Sequence, residues 1–444
     1  MSQEWLFESA CELGRGIGQG EIDPLRLTEI YLEAIDGHEY RDRIYSAVTH
    51  DRALAEAKAA SDRAVAGQRL GLLDGVPISW KDLFDSAGTK TEAGTAYLKG
   101  RVPTKDAVVL ANATKAGLVC LGKTHMSELA FSGLGYNPIT ATPPNVNDPE
   151  GAPGGSSSGA ATSVAFGLAA CGIGSDTGGS VRIPSAWNDL VGFKPTHNAL
   201  SLEGVVPLSE TFDTVGPLCR SVEDAAYMTA AMSGKKAADL TAASVKGHRF
   251  MILNTIAMDD LSEEPAEGFQ NAVEMIKAAG GIVTEGEVSE VADAMPIAAC
   301  LFTVDAYAHW QDVIEKQPDL MFKEILDRFR SGAVFSGLDY VKGWKRLREL
   351  RAGYAAKTAG YDAVIMPSSP ILPPNVERLA SDHDYYVSEN LRTLRNTRIG
   401  NLMGLTAMTL PTGVPSCGIM LCGAAGQDSR LLRVGAGVEA ALAE

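Results

Sequence analysis

Two stretches of this chain hold residues whose types and spacing could do chemistry. The first is Val76-Pro77-Ile78-Ser79-Trp80-Lys81-Asp82, where a lysine closes a short apolar run. A lysine at a strand end is ordinarily solvated, but one drawn inside loses charge because the interior solvates an ammonium poorly. Lowering its pKa from ~10.4 toward ~7 corresponds to roughly 4–5 kcal/mol against the charged form. A neutral lysine can then take a proton from a serine. The second stretch is Pro153 to Pro184, PGGSSSGAATSVAFGLAACGIGSDTGGSVRIP. Two Gly/Ser clusters bracket a run, Gly159 to Cys171, of small or apolar residues, which predicts a core helix that holds both clusters against buried structure. Small residues there let backbone N–H groups approach a ligand closely.

These residues leave three chemistries open. Glycine-rich turns at helix N-termini bind phosphate, but neither cluster is followed by the Lys-Ser/Thr of a P-loop, and no GxGxxG opens a strand–helix turn. Gly155-Ser156-Ser157-Ser158-Gly159 matches the nucleophile elbow G-x-S-x-G with Ser157 central, yet what precedes it, ATPPNVNDPEGAPG, reads as a loop where the elbow needs a buried strand. The third chemistry pairs Lys81 with a serine from either cluster.

The elements that must position these residues read as α/β. Asp23-Pro24 is an N-cap followed by a first-turn proline, with Leu25, Leu27, Ile30, Tyr31 and Ile35 on one face, and Asp51 to Ala66 is a second, surface helix. The first seventy residues thus read as a helical region. From Leu73 onward short apolar runs (Val76 to Ile78, Gly117 to Gly122, Ala363 to Met366) alternate with helical segments, which predicts layered α/β structure on a parallel or mixed sheet. Residues 248–284 read as strand–helix–strand, and 294–358 as continuously helical. No linker or repeat interrupts 71–444, so one large domain is expected there.

The balance of 39 basic against 55 acidic residues, net −16, argues against a nucleic-acid partner, which needs a basic face to release counterions. The basic stretch Lys342 to Arg351 has helical spacing and reads as a solvated face. Seven cysteines without a CxxC pair point to reduced thiols, and no His/Cys cluster has ligand spacing, so no metal and no organic cofactor is expected. The N-terminus lacks a basic flank followed by an apolar run, and no stretch reads as a membrane span. The expectation is a cytoplasmic protein with no membrane partner.

GVPISWKDLFDSAG, PGGSSSG and GSDTGGSVRIPS, in that order, resemble the signature of the amidase signature family. DAVVLANATKAGLVCLGKTHMSELAFSG, FDTVGPLCRSVEDAA, YDAVIMPSSP and NLMGLTAMTLPTG resemble further family segments. The likeness runs from about residue 20 to the C-terminus and is weakest over 230–350. It implies an α/β/α fold around a central mixed sheet, and hydrolysis of a small-molecule amide, ester or carbamate through a seryl acyl-enzyme.

In the resemblance Ser180 takes the place of the nucleophile, Ser156, after a cis bond from Gly155, that of the bridging serine, and Lys81 that of the base. Thr177, Gly178, Gly179 and Ser180 take the place of an oxyanion hole of backbone N–H groups. Ser157, Asp176 and Arg182 are supporting residues, the last two as participants or as a structural ion pair. Phe131, Ser132 and Gly155 are the candidate substrate-binding residues, the first two falling where relatives line the acyl pocket. His125 stands where relatives more often carry Asn and reads as structural. Thr406 and Met420 depart from the family pattern and are expected to concern only packing near the sheet. The aromatics Phe302, Tyr307, Trp310, Phe322 and Phe329 suggest an apolar lining, although helical spacing fits core as well. A homodimer is the family default. Two other readings are a carbamate-cleaving enzyme and an amidotransferase component that releases ammonia from glutamine. A scaffold without activity would be expected to lack part of the Lys81, Ser156 and Ser180 set, and all three are present.

Overall fold

The computed structural model describes residues 4–443. Its strands, in chain order, are β1 (Tyr45–Val48), β2 (Pro77–Lys81), β3 (Val119–Thr124), β4 (Cys171–Asp176), β5 (Val191–Lys194), β6 (Thr214–Cys219), β7 (Arg249–Leu253), β8 (Ile282–Gly286), β9 (Ala363–Pro367), β10 (Thr406–Pro411) and β11 (Gly418–Gly423). They form one mixed sheet in the order β1-β3-β2-β4-β6-β5-β10-β11-β9-β7-β8. β2 runs parallel to both β3 and β4, while the middle strands β6, β5, β10 and β11 pair antiparallel. β2, β3 and β4 are buried along their whole length, as expected for strands covered by helices on both faces.

Asp23 caps the helix Pro24–Gly37 by accepting from the Arg26 N–H, and Pro24 sits in its first turn. The surface helix appears as His50–Val65. Between them lies β1, a short strand that pairs antiparallel with the β3 edge, so residues 1–70 are not purely helical. Four residues of mixed polarity carry too little alternation to reveal a strand.

The small-residue run differs from expectation in its second half. The helix is only Ser158–Ala165; Gly167 adopts a left-handed φ of +73° and the chain turns into β4 at Cys171. A run apolar on every side suits a buried strand as well as a buried helix, and the glycine decides where one becomes the other. Residues 248–284 form β7, the helix Glu263–Ala278 and β8 as expected. Residues 294–358 are helical but broken into Ser289–Ile314, Lys323–Arg330 and Gly337–Thr358 with short 3₁₀ turns between.

Ser289–Ile314 is long and apolar enough, by length and composition, to cross a membrane, contrary to the expectation that no stretch would be. Here it packs along Gly337–Thr358 and buries Leu301, Phe302 and Trp310. The basic stretch lies on that second helix with Lys342, Lys345, Arg346 and Arg348 exposed.

Candidate active site

Parallel strands deliver their C-terminal ends to one edge of a sheet, and ligands of open α/β sheets bind beyond that edge. β2 ends at Lys81 and its parallel neighbour β4 ends at Ser175 and Asp176. The loop before the helix Ser158–Ala165 brings Ser156 to the same place, and the loop after β4 brings Thr177 to Ser180. Gly155–Ser156 is a cis peptide bond, as the resemblance implies. Gly155 has no room for a side chain, since a Cβ there would lie 2.5 Å from the Gly135 nitrogen.

Lys81 is fully buried, and its Nζ lies 2.7 Å from Ser156 Oγ and 2.8 Å from Ser175 Oγ. Burial pushes its pKa down to about 7, even though the Asp213 and Asp176 carboxylates favour the charged form. A neutral amine has two N–H donors and one lone pair, so it can accept from one hydroxyl while donating to the other. Ser175 went unnoticed in the sequence, although it stands inside the GSDTGGS motif.

The Ser180 hydroxyl makes no hydrogen bond among the described residues and lines a small cleft. Ser157 binds the two loops together: its N–H donates to the Ser180 carbonyl at 3.2 Å, and its hydroxyl donates to the Ser175 carbonyl and accepts from the Ser175 N–H.

Asp176 governs the shape of the 177–180 loop. It accepts from the Gly179 N–H (2.9 Å), the Val181 N–H (3.1 Å), Asn401, and two nitrogens of Arg182. Burial alone would raise its pKa, but the Arg182 guanidinium outweighs burial and holds the carboxyl at about 2. Arg182 is itself buried and donates onward to the Thr397 carbonyl, the Asn401 side-chain oxygen and the Met420 sulfur. Met420 therefore touches this network, contrary to the expectation that it concerns packing alone.

Gly179 also differs from its expected place in the donor set, because its N–H is committed to Asp176. The N–H groups of Thr177, Gly178 and Ser180 have no protein acceptor among the described residues. Gly179 has φ +139°, and a Cβ there would lie 2.1 Å from Thr397 Oγ1. Thr177 donates its hydroxyl to Asp213, whose pKa burial raises to about 6.

Phe131 and Ser132 line the cleft, with Thr177, Gly178, Leu208, Phe302 and Leu394, and Gly155 is not among its lining residues. Ser132 is held by hydrogen bonds with Tyr386 and Asn390. Of the five helical aromatics only Phe302 reaches the cleft. Phe329 packs behind Phe131, Phe322 lies against Tyr136 and Tyr386, and Trp310 donates to the Pro207 carbonyl. His125 is outside the lining, its backbone tied to Ile44 and Gly159, and burial pushes its pKa down to about 4. Arg328 and Arg398 complete the wall. Neither stood out in the sequence, because each lies on a helix with no motif around it.

The fold is thus α/β, a large mixed sheet with helices on both sides and loops that converge on a cleft at the ends of parallel strands. The Amidase family profile matches residues 26–432. The chain is 31% identical to 2-amino-5-chloromuconic acid deaminase of Comamonas testosteroni over 99% of its own length and 96% of that protein. It is 31% identical to the A chain of glutamyl-tRNA(Gln) amidotransferase from Acidothermus cellulolyticus, covering 99% and 95% of the two proteins. The native peptide amidase of Stenotrophomonas maltophilia superposes with a TM-score of 0.82 at 25% identity over 97% and 96%. The chain belongs to the amidase family, whose members hydrolyse C–N bonds of non-peptide amides.

Proposed function

We propose that the chain cleaves a small-molecule amide by acyl transfer to water, with Ser180 as nucleophile, Ser156 as proton bridge and Lys81 as base. The observation that carries this is the buried Lys81 amine, poised near neutrality and 2.7 Å from Ser156 Oγ. In the ground state only that first link is a hydrogen bond. Ser180 has to rotate its free hydroxyl toward Ser156 as substrate enters, in keeping with catalytic hydrogen bonds that tighten only in the reacting complex. Lys81 then takes a proton through Ser156 as Ser180 attacks the carbonyl, and returns it by the same route to the departing amine. Water cleaves the acyl-enzyme by the reverse relay.

The unengaged N–H groups of Thr177, Gly178 and Ser180 are the donors for the oxyanion, each worth ~3–4 kcal/mol of transition-state stabilisation in comparable sites. Asp176 and Arg182 position the loop that carries them. The seven buried free thiols suit a reducing cytoplasm, and a homodimer is the family default.

The test is labelling by a fluorophosphonate, mapped by mass spectrometry, beside hydrolysis of amide, ester and carbamate panels. Label on Ser180 and loss of turnover in Ser180→Ala are expected; intact hydrolysis in that variant would refute the assignment. Preference within the carbamate panel would favour the urethanase reading. The 31% identity to an amidotransferase chain supports a second reading, to which ammonia release from glutamine only with partner chains would point.

A further inference from the structure

The wall of the cleft beside Ser180 carries two guanidinium groups, those of Arg328 and Arg398, and no carboxylate. Buried arginines are almost always paired, because an uncompensated charge in a poorly hydrated site is costly. Elsewhere in this chain the fully buried Arg182 has Asp176, and the half-buried Arg52 and Arg63 have Asp106 with Glu56 and Asp74, while the half-buried Arg220 and Arg351 spend their nitrogens on backbone carbonyls; Arg328 and Arg398 are half-buried too. Arg398 has no ion-pair or side-chain hydrogen-bond partner among the described residues. Arg328 lies 4.4 Å over the Phe131 ring and spends one nitrogen on the Phe131 carbonyl, a neutral partner.

Carboxylates on the neighbouring helices have other partners. Glu389 faces Arg392, Glu324 faces His383, and Asp305 accepts from Ser209 and Thr211. Burial pushes Arg398 down to about 10 and Arg328 to about 9, the latter helped by repulsion from Arg398, so both remain cations at neutral pH in the one cleft.

We infer that these two arginines recognise a carboxylate of the substrate, so that the enzyme takes compact amides carrying a free acid group, such as monoamides of short dicarboxylic acids. The inference rests on the seryl amidohydrolase reading of the same cleft and adds its substrate class. Two planar, always-charged forks match one carboxylate well, and the small cleft suits a molecule of few carbons. The substrate anion supplies the missing counter-charge, and its fixed distance from the guanidinium groups would set which carbonyl meets Ser180. Phe131, Leu208, Phe302 and Leu394 give the same cleft an apolar lining for the connecting carbons.

The test compares ammonia release from succinamate and glutaramate with that from the neutral isosteres butanamide and pentanamide, in wild type, Arg398→Gln, Arg398→Lys and Arg328→Gln. The wild-type kcat/KM is expected to favour the acids by about 10- to 100-fold, the range a charge-assisted hydrogen bond supplies. That ratio is expected to fall at least about tenfold in Arg398→Gln and to be partly kept in Arg398→Lys. A wild-type ratio near one, or a ratio unchanged in both glutamine variants, overturns the inference.

Should Arg328→Gln not fold, or no probe be turned over, protection decides. Succinate and glutarate are expected to slow fluorophosphonate labelling of wild-type Ser180, and less so in high salt; no protection overturns the inference. Label on Ser180 without anion discrimination refutes only the substrate class. A folded protein that takes no label on Ser180 refutes the seryl reading beneath it.

Discussion

Replacing Lys81 by methionine isolates the charge state on which the proposed relay depends. The lysine has a pKa of about 7 folded against 10.5 when exposed, so between those values the unfolded chain carries a proton that the folded chain lacks. Stability then rises with pH, and the penalty of burying the amine is full below pH ~7 and gone above pH ~10.5. From pH ~7.5 to ~9.0 the unfolded lysine gives up its advantage over about 1.5 units, less a small folded-state correction. At ~1.36 kcal/mol per unit, wild type is expected to gain about 2 kcal/mol relative to Lys81→Met.

Chemical unfolding of both proteins at the two pH values measures this. The double difference cancels every other titrating group, together with the pH-independent loss of contacts to Ser156 and Ser175. From pH ~6 to ~9 the wild-type kcat/KM is expected to rise with a midpoint near pH ~7 and then flatten. If the stability difference stays constant, the folded lysine is protonated like the unfolded one and cannot accept the serine proton.

Removing Arg182 tests the loop's anchor: Arg182→Met strands a buried carboxylate at Asp176 and is expected to lower stability by ~3–5 kcal/mol in denaturant titration. Because Asp176 is held at about 2 against an ordinary 3.8, its contribution is present above pH ~4 and lost as pH falls toward ~2, so wild type and Asp176→Asn are expected to converge in acid. Gly179→Ala drives a Cβ onto Thr397 in a backbone region that side chains avoid, and is expected to cost ~1–3 kcal/mol and to slow labelling of Ser180. Adding Thr397→Ala relieves the contact but not the φ angle, so only partial recovery is expected; wild-type labelling in the single variant would show that the loop tolerates the change.

What could be read from the sequence follows from how local its cause is. Lys81 at a strand end, the capped helix after Asp23 and the two Gly/Ser loops are set by neighbours in the chain, and all three stand where expected. The β1 strand and the early end of the small-residue helix were hidden, because four mixed residues and a run apolar on all sides carry no period. Ser175 was visible in its motif but not in its contact, which depends on β4 lying parallel to β2. The commitment of the Gly179 N–H to Asp176 appears only once the loop's fold is known. Arg328 and Arg398 were out of reach, since helices far from Ser180 in sequence carry them to it.

That separation has a practical side. The elements that bring together Lys81, Ser156 and Ser180 lie in the first half of the chain, while Phe302, Arg328, Leu394 and Arg398 hang from later helices that share none of those strands. A designer could exchange the helices that carry Phe302 and Arg328 as an interchangeable sleeve and alter which molecule is admitted, but would keep Arg395–Leu402, whose Thr397 and Asn401 brace the loop of Ser180.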